Sequence, residues 1–176
     1  MMRAAAVALI SALTAGSVLA HPHGEVDQQV TLSLLPGRVV IEAVIMPSAP
    51  DGVAIYAQLD RDGDGAVSGF EATDFGAELL AATHLSAGGA ALALSTPEVT
   101  IAERDRVETG LGQIIWRAEA ELPSRLERLD FTIDYGAFSH NWFVQPFYAS
   151  EIVAMGVPEL ERSGDGATVT LRWPGN

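Results

Sequence analysis

The chain has no cysteine and no lysine, and its ten basic residues are all arginine. The missing cysteine excludes disulfides, a thiol nucleophile, a lipobox attachment point and any thiolate metal site. A chain of 176 residues can build its core without disulfides, so their absence is compatible with export. The missing lysine reads as compositional bias. Against 23 acidic residues the formal net charge is −13, and no basic patch exists to track a phosphate backbone. Nucleic acid is therefore not an expected partner. Beyond the N-terminus no segment reaches the ~20 consecutive apolar residues of a membrane-spanning helix, so the mature chain is expected not to span a membrane. Motifs of catalysis are also missing. There is no Gly-x-Ser-x-Gly elbow and no His-Glu-x-x-His helix, and the carboxylates outside one loop are scattered. The expectation is that the chain is not an enzyme.

What is present begins with an export signal. Met1-Met2-Arg3 gives a positive start, Ala4 to Leu13 an apolar run, and Val18 and Ala20 the −3 and −1 positions of a small-residue cleavage site. Residues 1–20 read as a signal peptide and 21–176 as a single β-rich domain, periplasmic or secreted. An uncleaved N-terminal anchor is the alternative.

In the mature part, Val26, Gln28, Val30, Leu32 and Leu34 alternate with polar residues, the mark of a half-buried strand. Pro36-Gly37 supplies a turn, and Arg38 to Met46 reads as the return strand of a hairpin. Pro47 to Gly52 breaks the chain. Val53 to Leu59 is helix-compatible, and Gly69 to Thr83 carries Phe70, Phe75, Leu79 and Leu80 at near-helical spacing. Further strands are expected over 91–94, 98–107, 114–121, 128–135, 142–148 and 168–173, separated by turn signals. The expected fold is α+β and mainly β: an antiparallel, sandwich-like domain with a helix–loop–helix inserted at about 51–83.

Asp60-Arg61-Asp62-Gly63-Asp64-Gly65-Ala66-Val67-Ser68-Gly69-Phe70-Glu71 is the sharpest feature. Calcium prefers six to eight hard oxygens in flexible geometry. Counting from Asp60, carboxylates fall at positions 1, 3 and 5 (Asp60, Asp62, Asp64). Gly65 at position 6 permits the sharp turn, and Ala66 at 7 offers its carbonyl. Ser68 at 9 ligates directly or through water, and Glu71 at 12 supplies two oxygens. This is the pattern of an EF-hand calcium loop. The alternative is a solvated acidic turn that matches by chance. Sensors carry such loops in pairs that open a Met-rich groove. The single loop here points to a structural site in the affinity range of extracellular modules, roughly 10⁻⁴ to 10⁻³ M.

Cleavage after Ala20 would leave His21-Pro22-His23 at the N-terminus. The free amine, the His21 ring and His23 make a speculative site for copper or nickel, completed by His84 or His140. Pro22 has no N–H to give up, which argues against a chelate through deprotonated backbone amides. Solvated histidines are the alternative. The aromatic residues Tyr135, Phe138, Trp142, Phe143, Phe147 and Tyr148 read as core and sheet packing, with a binding surface as the sharper alternative.

Several of these features together resemble the soluble extracytoplasmic domain of HupE/UreJ-type proteins. They are Ala20-His21 at the cleavage point, the hairpin to Met46, Leu59 through Glu71, Thr109-Gly110-Leu111-Gly112, and the late Asp134-Tyr135 strand. That family is associated with nickel or hydrogenase-related metal transport. The resemblance implies an accessory or binding role near metal uptake, with a protein partner at a membrane or metal-uptake system. The sequence ends at Asn176 with no membrane segment, so transport by this chain itself is not expected. Two functions follow: an exported calcium-binding accessory module, or a periplasmic copper- or nickel-binding metallochaperone using His21 and His23.

Overall fold

A computed structural model of the chain describes residues 26–164 and 166–174. The leader expected over 1–20 and the pair His21 and His23 lie outside the described residues. The first described elements are β1 (Asp27–Leu35) and β2 (Arg38–Met46), antiparallel in register from Asp27 against Met46 to Leu35 against Arg38. Gly37, at φ +73°, turns the chain between them. The alternation read from the sequence is the alternation of burial: Gln28, Val30, Leu32 and Leu34 all point inward. Of the buried Gln28 amide, Nε2 donates to the carbonyls of Ser139 and Asn141 and Oε1 has no partner.

Next come α1 (Ala49–Leu59) and α2 (Gly69–Ala81), separated by the acidic loop. The first helix starts earlier than Val53. Pro50 sits in its first turn, where a missing N–H forfeits no intrahelical bond. The second helix ends before Thr83, whose hydroxyl bonds the Leu79 carbonyl at 2.7 Å as the chain leaves it. Thr83 instead opens β3 (Thr83–Ala87), and Gly88-Gly89, both at positive φ, turn the chain into the short β4 (Ala90–Ala91). The strand expected over 91–94 is thus only the end of this hairpin. The strand expected over 98–107 is split into β5 (Glu98–Ile101) and α3 (Arg104–Glu108). The rest of the chain forms β6 (Ile114–Glu121), β7 (Arg128–Ile133), β8 (Phe143–Tyr148), α4 (Ser150–Ala154), β9 (Glu159–Arg162) and β10 (Thr168–Arg172).

Among the described residues these elements make a mainly β fold of two five-stranded sheets with four helices. One sheet runs β5-β6-β2-β1-β8 and the other β4-β3-β7-β10-β9. All pairings are antiparallel except one. Strand β8 lies parallel to β1, Gln29 against Phe143 to Leu34 against Tyr148, which corrects the all-antiparallel expectation. The inward side chains of both sheets, Leu32, Ile41 and Trp116 from one and Leu129, Phe131 and Leu171 from the other, join one hydrophobic cluster. Ile55, Leu59, Phe75 and Leu79 bring the two longer helices into it. The Trp116 indole N–H donates to the Gly76 carbonyl at 3.0 Å and so fixes α2 against β6. No helix of the described residues is long and apolar enough to cross a membrane.

Candidate metal centre

The acidic loop is held at both ends by its own helices. Asp60 closes α1, its N–H bonding the Tyr56 carbonyl at 2.8 Å. Ser68 opens α2 with a reciprocal capping box: its hydroxyl accepts from the Glu71 N–H while Glu71 accepts from the Ser68 N–H. Between them the chain turns on Gly63 and Gly65, at φ +72° and +97°. A side chain at either would strain the turn.

Within this frame Asp60, Asp62 and Glu71 converge, each offering a carboxylate oxygen within 4.8 Å of the others. Asp60 is 7% exposed and Glu71 6%, while Asp62 is exposed. Asp60 Oδ2 accepts from the Gly65 N–H at 2.9 Å, and its buried Oδ1 accepts no hydrogen bond. Glu71 Oε1 accepts from the backbone N–H groups of Arg61 (2.6 Å) and Asp62 (3.2 Å). Its Oε2 accepts from the Ser68 N–H and hydroxyl, both at 2.8 Å. The Ser68 N–H first, then the Ser68 hydroxyl and the Asp62 and Arg61 N–H groups, outweigh burial. Together they hold the Glu71 carboxyl down to about 2 from an ordinary 4.5. Glu71 is thus a fixed anion.

The remaining expected ligands are placed differently. Asp64 is not in the convergent group; its Oδ1 accepts from the Ala66 N–H at 2.9 Å, and its own N–H bonds Asp62 Oδ1 at 3.1 Å. The Ser68 hydroxyl is directed to Glu71. Ala66 sits in the loop segment that these Asp turns shape. Among the described residues no group of three potential metal ligands includes a histidine. His84 is exposed on the outer face of β3, opposite Thr132, and the His140 ring closes over Gly136.

Two further residues that the sequence pattern did not indicate touch the loop. Tyr56, one turn before Asp60 on α1, accepts the Val67 N–H on its hydroxyl at 3.2 Å. Arg104 of α3 stands with its guanidinium 5.6 Å from the centre of the Tyr56 ring. Tyr56 was readable as the i−4 neighbour of Asp60 on one helix face. Arg104 comes from a distant segment and leaves no local signal. Arg61, inside the loop, is turned to Glu78 (2.5 Å) and Asp74 (3.5 Å) on α2.

The aromatic residues divide. Phe75, Tyr135 and Phe138 form a ring cluster with centroids 5.5 to 5.9 Å apart, and Trp142 is buried with its indole N–H on the Tyr135 carbonyl. Tyr148 is partly buried against the core, whereas Phe143 and Phe147 are half exposed on the outer face of β8.

Chemically, the centre is a set of hard oxygens. Three like charges this close repel one another unless hydrogen bonds or a cation offset them. The N–H groups satisfy Glu71 and one oxygen of Asp60, and leave Asp60 Oδ1 buried without a donor. Comparison of the chain with protein families, with curated proteins and with solved structures found no match.

Proposed function

We propose that residues 60–71 bind one calcium ion as an EF-hand-type loop, and that the protein is an exported binding or accessory module stabilised by that ion. The observation that carries this reading is Asp60, whose buried Oδ1 has no hydrogen-bond donor and whose carboxylate joins those of Asp62 and Glu71 in a group with one oxygen from each within 4.8 Å. Such an oxygen is costly to bury unpaired, and a hard cation satisfies it. The donors fit calcium in kind: all are oxygens, and the loop has the length and the glycines that a calcium loop needs. Asp60, Asp62 and Glu71 would hold the ion, with Asp64, the Ala66 carbonyl and Ser68 supplying the remaining positions that the spacing implies. The ion would supply positive charge to offset the mutual repulsion of these carboxylates. This chain's own contribution is to fix Glu71 as an anion and to present Asp60 from a buried helix end. A solitary loop favours a clasp over a sensor. The resemblance to HupE/UreJ-type extracytoplasmic domains is what supports a periplasmic module near metal uptake.

Calorimetric titration of the purified protein tests the reading. One calcium ion per chain is expected, with a Kd of roughly 10⁻⁴ to 10⁻³ M. Asp60→Asn should abolish the heat. No binding at millimolar calcium would reject the site.

A further inference from the structure

Arg104 lies outside the loop in sequence but against it in space. Its Nε donates to Glu108 Oε1 at 2.6 Å, and its guanidinium covers the Tyr56 ring. Its Nη1 stands 3.5 Å from where a Cβ on Gly65 would be. Gly65 is the residue whose N–H is held by Asp60 Oδ2. The helix that carries it is set by backbone contact. Helix α3 approaches α1 so closely that a Cβ on Gly52 would run into the Val107 carbonyl oxygen. An arginine guanidinium is a cation at any working pH, so this one is a standing positive charge at the rim of the loop.

We propose that Arg104 is a built-in competitor of the bound ion, a fixed positive charge that sets the calcium affinity of the loop below what its carboxylates alone would give. This rests on the reading of residues 60–71 as a calcium site. Two effects act in the same direction. In the ion-free loop the guanidinium relieves the mutual repulsion of Asp60, Asp62 and Glu71; in the loaded loop it repels the ion. Removing it raises the energy of the first state and lowers that of the second. Glu108 damps the competition by holding Arg104 in an ion pair. Because the Arg104 side chain is 52% exposed, salt screens the effect.

The test is calcium titration of the full protein at low and high ionic strength, with Arg104→Gln, Arg104→Lys and Arg38→Gln. Arg104→Gln should tighten binding by about threefold to tenfold at low ionic strength, with the gap closing at about 0.5 M salt. Arg104→Lys keeps the charge and should stay within twofold of wild type. Arg38 sits at the far end of β2 from α1, paired with Glu119, so its loss should leave affinity unchanged. If the glutamine variant does not fold, Arg104→Met, with an apolar stem to cover Tyr56, carries the same expectation. Unchanged or weaker binding in the charge-loss variant overturns the inference while the calcium site stands. An equal gain from Arg38→Gln overturns it too, since net charge alone would then explain the effect. A wild-type protein that binds no calcium instead removes the reading on which the inference rests.

Discussion

The Glu71 carboxylate accepts three backbone N–H groups and the Ser68 hydroxyl, so it is a structural keystone as well as a candidate ligand. Glu71→Gln keeps the shape but loses the charge and one acceptor oxygen. Calcium affinity is expected to fall by about 100-fold or more. In chelator the denaturation midpoint should also drop, because the amide N–H₂ would face the donors that the second oxygen now accepts. A variant that loses affinity but keeps its midpoint in chelator would assign Glu71 to the ion alone. Asp130 shows the same logic away from the site. Arg128, and then Thr170 by hydrogen bond, pull its pKa below the ordinary 3.8, so it stabilises the fold in its charged form. That contribution is complete above pH 3.8 and is lost as pH falls through the lower folded value. Asp130→Asn should therefore cost about 1 kcal/mol at pH 7, a discounted figure for a partly solvated pair. The difference from wild type should shrink as the pH falls below 3.8. Urea melts at pH 7 and pH 3 check it, and a gap that persists unchanged at low pH would contradict the charge argument.

At the level of elements, the contact between α1 and α3 turns on a glycine. Gly52→Ala would gain about 1 kcal/mol in helix propensity. The added Cβ, however, would meet the Val107 carbonyl oxygen and stand 2.8 Å from Glu108 Cα, both backbone atoms that can yield only if α3 moves. Overpacking of this kind costs typically 1–3 kcal/mol, so the clash outweighs the propensity and the net change should be destabilising. A thermal melt with a raised Tm would show that α3 gives way freely. This contact also marks the limit of what the sequence disclosed. The β1–β2 hairpin and the loop were legible because each is contiguous: alternation over nine residues in one case, six spaced ligand positions in the other. Strand β3 was not, because Thr83–Ala87 follows α2 without a breaker and its one clear signal, Gly88-Gly89, reads as well as a helix stop. Helix α3 was hidden because it follows the β-branched run of β5 after two residues and its Val107 extends the strand-like pattern, and β9 is exposed at every position and so has no alternation to read. Of the candidate centre, the sequence showed four carboxylates in one loop but not their inequality: three converge and Asp64 does not. Asp60 and Glu71 are buried, while Asp64 turns to the Ala66 N–H, and composition and spacing alone do not distinguish the three.

Across the whole molecule, the two sheets must end somewhere, and β8 and β9 are the edges that come together. The Arg162 guanidinium of β9 donates to the Val144 carbonyl of β8 and lies 5.2 Å from the Phe143 ring centre. A carbonyl bonded this way faces away from β1. In a strand the N–H and carbonyl of residue i+2 point to the same side, so the nitrogen of Pro146 faces outward as well. Proline there forfeits no bond of the β1–β8 ladder and denies the free edge a donor. The exposed Phe143 and Phe147 on the same strand make that protection matter, since an apolar edge with free N–H and carbonyl groups is a template for strand addition. Pro146→Val combined with Arg162→Ala would restore a donor and uncover an acceptor on one edge. The double variant is expected to self-associate at concentrations where the wild type does not, with each single variant showing less. Sedimentation velocity measures this directly. A double variant that sediments like the wild type would mean that the corner between the sheets is closed by packing alone, with Arg162 and Pro146 contributing nothing to it.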